Sequence, residues 1–256
     1  WGAVCGVFIV GGFGLYHYAP SLPNLLSRQD PQAQLAAVLA ADRPSLLAGT
    51  KLPVVFVHGI SDTGATWNDM KSVFKSLGWT DDLLYANTFP CYDFLNCSNV
   101  DNAQKIGEWV NKASADHGGS SVILVAHSMG GVSSRYFLLN SSSASKVAAF
   151  ISFSTMNNGF SENKWWVAQC PNTSFTAVCD QLRRGGNFIT DQVWHANYSE
   201  IPNINFYSTD DHLVSTYAAR MVGACNVRVS GVDHRDIIHA AGVPLVEALD
   251  SVGGAS

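Results

Sequence analysis

From Leu52 onward the chain alternates two hydrophobic rhythms, and that alternation predicts its architecture. Apolar runs at Pro53–Val57, Leu83–Thr88, Ser121–Ala126, Val147–Phe153, Ile204–Tyr207 and Asn226–Val229 predict strands. Between the first two, Trp67, Met70, Val73, Phe74 and Leu77 recur at helical spacing and Gly78 supplies the stop. Between the next two, Ile106, Trp109, Val110 and Ala113 do the same. Aromatics in such stripes are read as core. Strands that alternate with helices form parallel βαβ units, so the expected fold class is α/β: a mostly parallel central sheet flanked by helices. There is no internal repeat and no low-complexity tract.

Residues 1–51 break this rhythm and are expected to form an apolar arm and connector ahead of a domain at 52–256. Pro20, Pro23, Pro31 and Pro44 surround a short predicted helix, Gln32–Ala41. Trp1–Tyr18 carries no Asp, Glu, Lys or Arg and includes Val7, Phe8, Ile9 and Val10. Two readings stand for it. A membrane anchor fits the apolar run, whereas its short length, five glycines and lack of a basic flank fit an arm packed on the domain.

The run Val122-Ile-Leu-Val-Ala-His-Ser-Met-Gly-Gly131 is a strand that ends in small residues around one serine and opens into a helix. Those are the marks of a nucleophile elbow, a turn so tight that only small side chains fit two residues either side of the serine; Ala126 and Gly130 meet that demand. Ser128 is therefore the expected nucleophile. Acyl transfer also needs N–H donors for the oxygen that becomes negative on the attacked carbonyl. The first strand ends in His58-Gly59-Ile60, a turn that can aim a backbone amide at the elbow, so the expected donors are the Ile60 and Met129 amides. His58 precedes the serine and stands at the oxyanion strand end, which favours a structural role for it.

In this topology an acid and then a histidine follow the serine, each at the end of a later strand. The run 205–209 ends in Asp210-Asp211, and the run 226–232 ends in Asp233-His234. His234 is expected to take the serine proton and Asp211 to orient the imidazole. His239 competes, but its place in a final helix suits a packed or surface residue; His17, His195 and His212 lack a strand-end position.

Composition narrows the partners. The 256 residues include 15 Lys plus Arg and 20 Asp plus Glu, for a net charge of −5, and charged residues make up only 14%, against about 25% usually. With no basic cluster, nucleic acid is not an expected partner; apolar contacts suit this surface. The six cysteines show no zinc-type spacing. They read as disulfides: Cys91–Cys97 and Cys170–Cys179 from their polar loop contexts, and Cys5–Cys225 by elimination. Asn96, Asn140, Asn172 and Asn197 begin glycosylation sequons. Cysteines and sequons together point to an oxidising, secretory environment.

At this point the residues resemble the α/β-hydrolases, and more narrowly the class 2 triacylglycerol lipases with an Ala-x-Ser-x-Gly elbow. The resemblance spans about Leu52 to Val246. It rests on Val-His-Gly-Ile at 57–60, Ala-His-Ser-Met-Gly-Gly at 126–131, Tyr-Ser-Thr-Asp-Asp at 207–211 and Gly-Val-Asp-His at 231–234. It carries the family's acid onto Asp211 and its base onto His234. The stretch 179–188 resembles a Cys-x-Gln-Leu/Met-x-Pro-Gly-Ser-x-Phe segment of larger members. Arg184 stands where Pro is usual, and Ser-Thr-Met-Asn-Asn at 154–158 replaces a glycine-rich sequence, departures that bear on pocket shape.

The reading is thus a secreted, monomeric serine carboxylic-ester hydrolase acting on lipid or other apolar esters through an acyl-enzyme, with no cofactor and no metal. Its alternatives are a thioesterase or amidase on the same triad, or a hydrolase-fold binding protein without chemistry. A cap-like insertion is expected at 157–202, between what the family counts as its sixth and seventh strands. There Trp165 and Trp166 are expected to line an acyl pocket and face a lipid surface; the competing reading is a satellite core under a long loop.

Overall fold

The computed structural model describes residues 6–7, 51–91, 98–160, 177–193, 201–222, 224–242 and 245. Among the described residues seven strands form one sheet: β1 (Gly6–Val7), β2 (Val54–Val57), β3 (Leu84–Ala86), β4 (Val122–His127), β5 (Val147–Phe153), β6 (Asn203–Ser208) and β7 (Cys225–Val229). Their order is β1-β7-β6-β5-β4-β2-β3 and every pair is parallel. The helices are α1 (Asn68–Ser76), α2 (Asn99–Asp116), α3 (Met129–Asn140), α4 (Ala177–Leu182), α5 (Asn187–Gln192) and α6 (Thr216–Ala219). All six expected strands are present. The second is shorter than its apolar run: Asp81–Leu83 close a 3₁₀ turn that takes Leu83, and the strand ends at Ala86, before Asn87 and Thr88.

β2, β4 and β5 are buried at every position, which explains why their sequences lack polar alternation. Their side chains divide by the period of two. Val54, Phe56, Ile123 and Val125 pack into one layer with Trp67 and Phe74, while Val55, Val57, Leu124 and Ala126 pack into the other with Ile106 and Val110 of α2. Phe56 lies 5.2 Å from the Trp67 ring and 5.6 Å edge-on from Phe74. Each such fully buried side chain contributes roughly 1.5–3 kcal/mol of transfer free energy. Gly78 ends the α1 segment at φ +96°.

The strand order places the site. β3 pairs outside β2, and the chain then returns to pair β4 on the other flank of β2 before proceeding to β5, β6 and β7. The order reverses between β2 and β4, and the crevice beyond the carboxyl ends of strands at such a reversal is where open α/β sheets bind ligands. Val57 is level with Ala126 across this pair, so the turns at 58–60 and 127–129 leave the sheet side by side.

Two expectations meet particular outcomes here. Gly6–Val7 join the sheet beside Asn226 and Val227, a contribution from the N-terminal arm that its composition did not suggest. Among the described residues no helix is long and apolar enough to cross a membrane; the rest of Trp1–Tyr18, on which the anchor reading rests, and the expected helix Gln32–Ala41 lie outside them. In the insertion, Leu182, Ile189 and Val193 pack with Met129 and Val132 of α3, and Phe188 stacks on Tyr136 at 5.2 Å. This described part of the insertion forms a satellite core on the elbow helix. Trp165 and Trp166 lie outside the described residues. Gln181, within the resembling segment, ties it to α2: its Oε1 accepts from the Asn99 N–H at 2.6 Å, a donor that the first turn of α2 leaves open, and from the Asn99 side-chain Nδ2.

Candidate active site

The elbow forms because β4 delivers the chain into a helix with no connecting loop. Ser128 adopts φ 56°, ψ −128° at the N-terminal boundary of α3, a left-handed conformation that costs a non-glycine residue about 1–3 kcal/mol. Its N–H donates to the Phe153 carbonyl at 3.0 Å and its carbonyl accepts from Gly131 at 3.1 Å, so neighbouring elements hold the strain. The need for small neighbours is geometric. A Cβ on Gly130 would stand 2.3 Å from the His58 carbonyl oxygen, and one on Gly131 would stand 2.0 Å from Thr155 Oγ1.

Ser128, His234 and Asp211 come together at the carboxyl ends of the strands. The Ser128 hydroxyl lies 2.9 Å from His234 Nε2, and His234 Nδ1 lies 2.8 Å from Asp211 Oδ2. All three are buried. Asp211 Oδ1 accepts from the Leu213 and Val214 amides at 2.8 and 2.7 Å. Burial alone would raise the Asp211 pKa, but the His234 hydrogen bond and charge and the Val214 amide outweigh it and hold the carboxyl below its ordinary value. An ionised Asp211 fixes the proton on His234 Nδ1 and leaves Nε2 to accept from the serine.

Asp210 faces elsewhere. Its Oδ2 accepts from the Gly231 N–H at 2.8 Å and from the Thr209 hydroxyl. Asp233 Oδ1 accepts from the backbone amides of His212 and His234 at 3.1 and 2.7 Å, and these donors hold its carboxyl down at about 2. Each catalytic-candidate loop is thus bonded to the other by the carboxylate that precedes its candidate residue. This pairing was not read from the sequence, although the doublets Asp210-Asp211 and Asp233-His234 are its signal.

His127 was also overlooked. Its ring is buried, its Nε2 lies 2.9 Å from the His234 carbonyl, and its centroid is 4.7 Å from that of His234. Burial and then the His234 charge lower its pKa to about 3, so it presents a neutral ring to His234.

Of the remaining candidates, Met129 is fully buried at the start of α3 and Ile60 is half-buried beside the satellite core. His58 is buried and bonds to Gly59 and Phe89. His239 is exposed and faces Asp69 at 3.4 Å; His212 is exposed and pairs with Asp233. His17 and His195 lie outside the described residues. Cys91 is disulfide-bonded, and its expected partner Cys97 lies outside the described residues. Cys225 is buried on β7; Cys5 and Cys170 lie outside the described residues, as does the side chain of Cys179.

A family model described as Lipase (class 2) matches residues 51–243. Solved structures with the same architecture include a lipase of Bacillus licheniformis, BlEst2 in mature form, at 19% identity and TM-score 0.60, covering 77% of this chain and 96% of that one. A monoacylglycerol lipase of Paleococcus ferrophilus matches at 12% identity and TM-score 0.56, covering 78% and 96%. Lipase B of Aspergillus fumigatus matches at 19% identity and TM-score 0.58, covering 78% of this chain and 51% of that one. At these identities the likeness is one of fold.

Proposed function

The chain belongs to the class 2 lipases and is a lipase/esterase-type carboxylic ester hydrolase, and from that premise we propose that it works as a serine hydrolase on lipid or other apolar esters. Ser128 attacks the ester carbonyl while His234 Nε2 takes its proton. The Ile60 and Met129 amides donate to the oxygen that becomes negative. His234 then returns the proton to the departing alcohol, leaving an acyl group on Ser128 that water, activated by the same imidazole, removes. Asp211 keeps the tautomer and stabilises the imidazolium. The observation that carries this reading is the continuous chain of 2.9 and 2.8 Å contacts from Ser128 through His234 to Asp211.

The test is covalent labelling by a fluorophosphonate probe together with Ser128→Ala, which should lose labelling and turnover while the melting temperature holds. Loss of such a nucleophile typically costs about 10⁶ in rate. Substantial turnover by the variant would remove Ser128 from the mechanism. A panel of p-nitrophenyl esters against emulsified triglyceride then identifies the acyl preference. The proposed setting is the secretory pathway, supported by the bonded state of Cys91 and by Asn140, a sequon residue exposed at the end of α3; six free thiols in the native protein would refute it.

A further inference from the structure

We infer that His58 is a positioning residue for the oxyanion site, a lock on the peptide plane between Gly59 and Ile60. The inference rests on the serine-hydrolase reading above and on two hydrogen bonds of one ring. The Phe89 N–H donates to His58 Nε2 at 3.0 Å, so that nitrogen must carry a lone pair. His58 Nδ1 lies 2.7 Å from the Gly59 carbonyl oxygen, which can only accept. The two partners therefore dictate a neutral ring protonated at Nδ1. Burial, the largest influence on this ring, lowers its pKa and agrees with neutrality.

The consequence follows from the planarity of the peptide. In a trans unit the carbonyl of one residue and the N–H of the next point to opposite sides, and there is no cis peptide bond among the described residues. Holding the Gly59 carbonyl toward the His58 ring drives the Ile60 N–H to the far side, where the proposed mechanism needs a donor.

Glycine at 59 makes such a lock useful. A Cβ there would stand 3.0 Å from Ser128 Cβ and 3.4 Å from Ser128 Oγ, tighter than ordinary contact, so glycine lets this turn approach the nucleophile without displacing it. Glycine, however, permits either orientation of the following peptide. His58 removes the freedom that Gly59 brings. The chain beyond is also constrained, since Ser61 takes φ 53°. The ring itself is anchored, its centroid 4.8 Å from that of Phe89 in an edge-type contact.

Two isosteric substitutions separate the two bonds. In His58→Asn the side-chain amide can place a donor near Nδ1, and in His58→Gln it can place an acceptor near Nε2. The expected result is a kcat for His58→Gln lower on the order of tenfold to a hundredfold with KM little changed, and a recovery of about tenfold in His58→Asn. Affinity for a trifluoromethyl ketone, which forms a tetrahedral adduct, should follow the same order. Equal losses in the two variants, no loss in either, or loss only in His58→Asn would overturn the lock. The wild-type enzyme supplies a check independent of folding in the variants: the ¹⁵N shifts of the His58 ring should report protonation at Nδ1, and protonation at Nε2 would refute the inference. Ser128→Ala distinguishes the two readings, because turnover by that variant overturns the serine mechanism, whereas an inactive Ser128→Ala beside two indifferent His58 variants overturns only the lock.

Discussion

Replacing Asp211 by Asn should be far more damaging than replacing Asp210, although the two carboxylates are adjacent in the chain. Asp211 Oδ1 receives the Leu213 and Val214 amides at 2.8 and 2.7 Å, and Oδ2 faces His234 Nδ1 at 2.8 Å. In Asp211→Asn the side-chain oxygen stays with the two backbone donors, because an NH₂ group cannot accept from them. The NH₂ is then turned toward His234, whose Nδ1–H is also a donor. The imidazole escapes by moving its proton to Nε2, where it can no longer accept from Ser128. In comparable triads the wrong tautomer costs about 10⁴ in kcat, roughly 5.5 kcal/mol of transition-state stabilisation. Asp210 is exposed and accepts chiefly from Gly231 N–H at 2.8 Å, a bond that an amide oxygen also makes; Asp210→Asn should stay within about tenfold. The assay is kcat/KM on a p-nitrophenyl ester alongside the rate of fluorophosphonate labelling, with melting temperatures for both variants. Equal losses, or a larger loss in Asp210→Asn, would refute the assignment of the acid.

The folded pKa of Asp233, about 2 against a reference of 3.8, lies on the depressed side, so its stabilisation is fully present above the reference value and is lost as the pH falls toward 2. Because the carboxylate is solvent-screened, Asp233→Asn should lower the melting temperature at pH 7 by no more than about 3 °C, and that gap should close between about pH 4 and 2; a gap constant down to pH 2 would sink this account. Gly130→Ala should yield little folded protein, since its Cβ meets backbone oxygens of His58 and Val57 at 2.3 and 2.9 Å, whereas Gly131→Ala, which meets the Thr155 side chain, should be partly rescued by Thr155→Gly. Failure of Thr155→Gly to rescue Gly131→Ala, or a soluble and active Gly130→Ala, would count against the close-approach argument. Trp165→Ala combined with Trp166→Ala should reduce hydrolysis of long-chain esters more than of acetate esters, because each buried methylene is worth about 0.8 kcal/mol; a uniform decrease across chain lengths would return both residues to a structural role.

The elements legible in the sequence were those whose cause is local. β2, β4 and β5 are buried on both faces and announce themselves as uninterrupted apolar runs; α1 and α2 bury a stripe and show its period, with Phe74, Ile106 and Val110 at its centre. Ser128, Asp211 and His234 could be found because each stands just past a strand, where chain order and a sharp change of composition coincide. β1 could not: two residues, Gly6 and Val7, have no periodicity, and their partner β7 lies at the far end of the chain.

What the sequence hid is the polar scaffolding, whose members are unremarkable alone and meet only through the fold. Arg135, buried within α3, donates to the Asn157 carbonyl at 2.9 Å and to the Val193 carbonyl at 2.8 Å. Asn157 Nδ2 donates in turn to the Ala219 carbonyl at 2.6 Å and to Asn205 Oδ1, and Asn205 Nδ2 donates to Asn226 Oδ1. The Asn157-Asn158 pair, which read as a departure bearing on pocket shape, is therefore a tie: Asn157 joins the elbow helix to β6, and Asn158 Nδ2 donates to the Tyr217 and Arg220 carbonyls. Burying so many amides is costly unless each is satisfied, and a satisfied network favours one arrangement over its neighbours. The arrangement favoured here links the elbow helix, the described end of the insertion, β6 and β7. Those elements supply or adjoin the three residues that stand 2.8 and 2.9 Å apart, as the proposed chemistry requires; apolar packing alone, tolerant of small slips, would not hold them to that geometry.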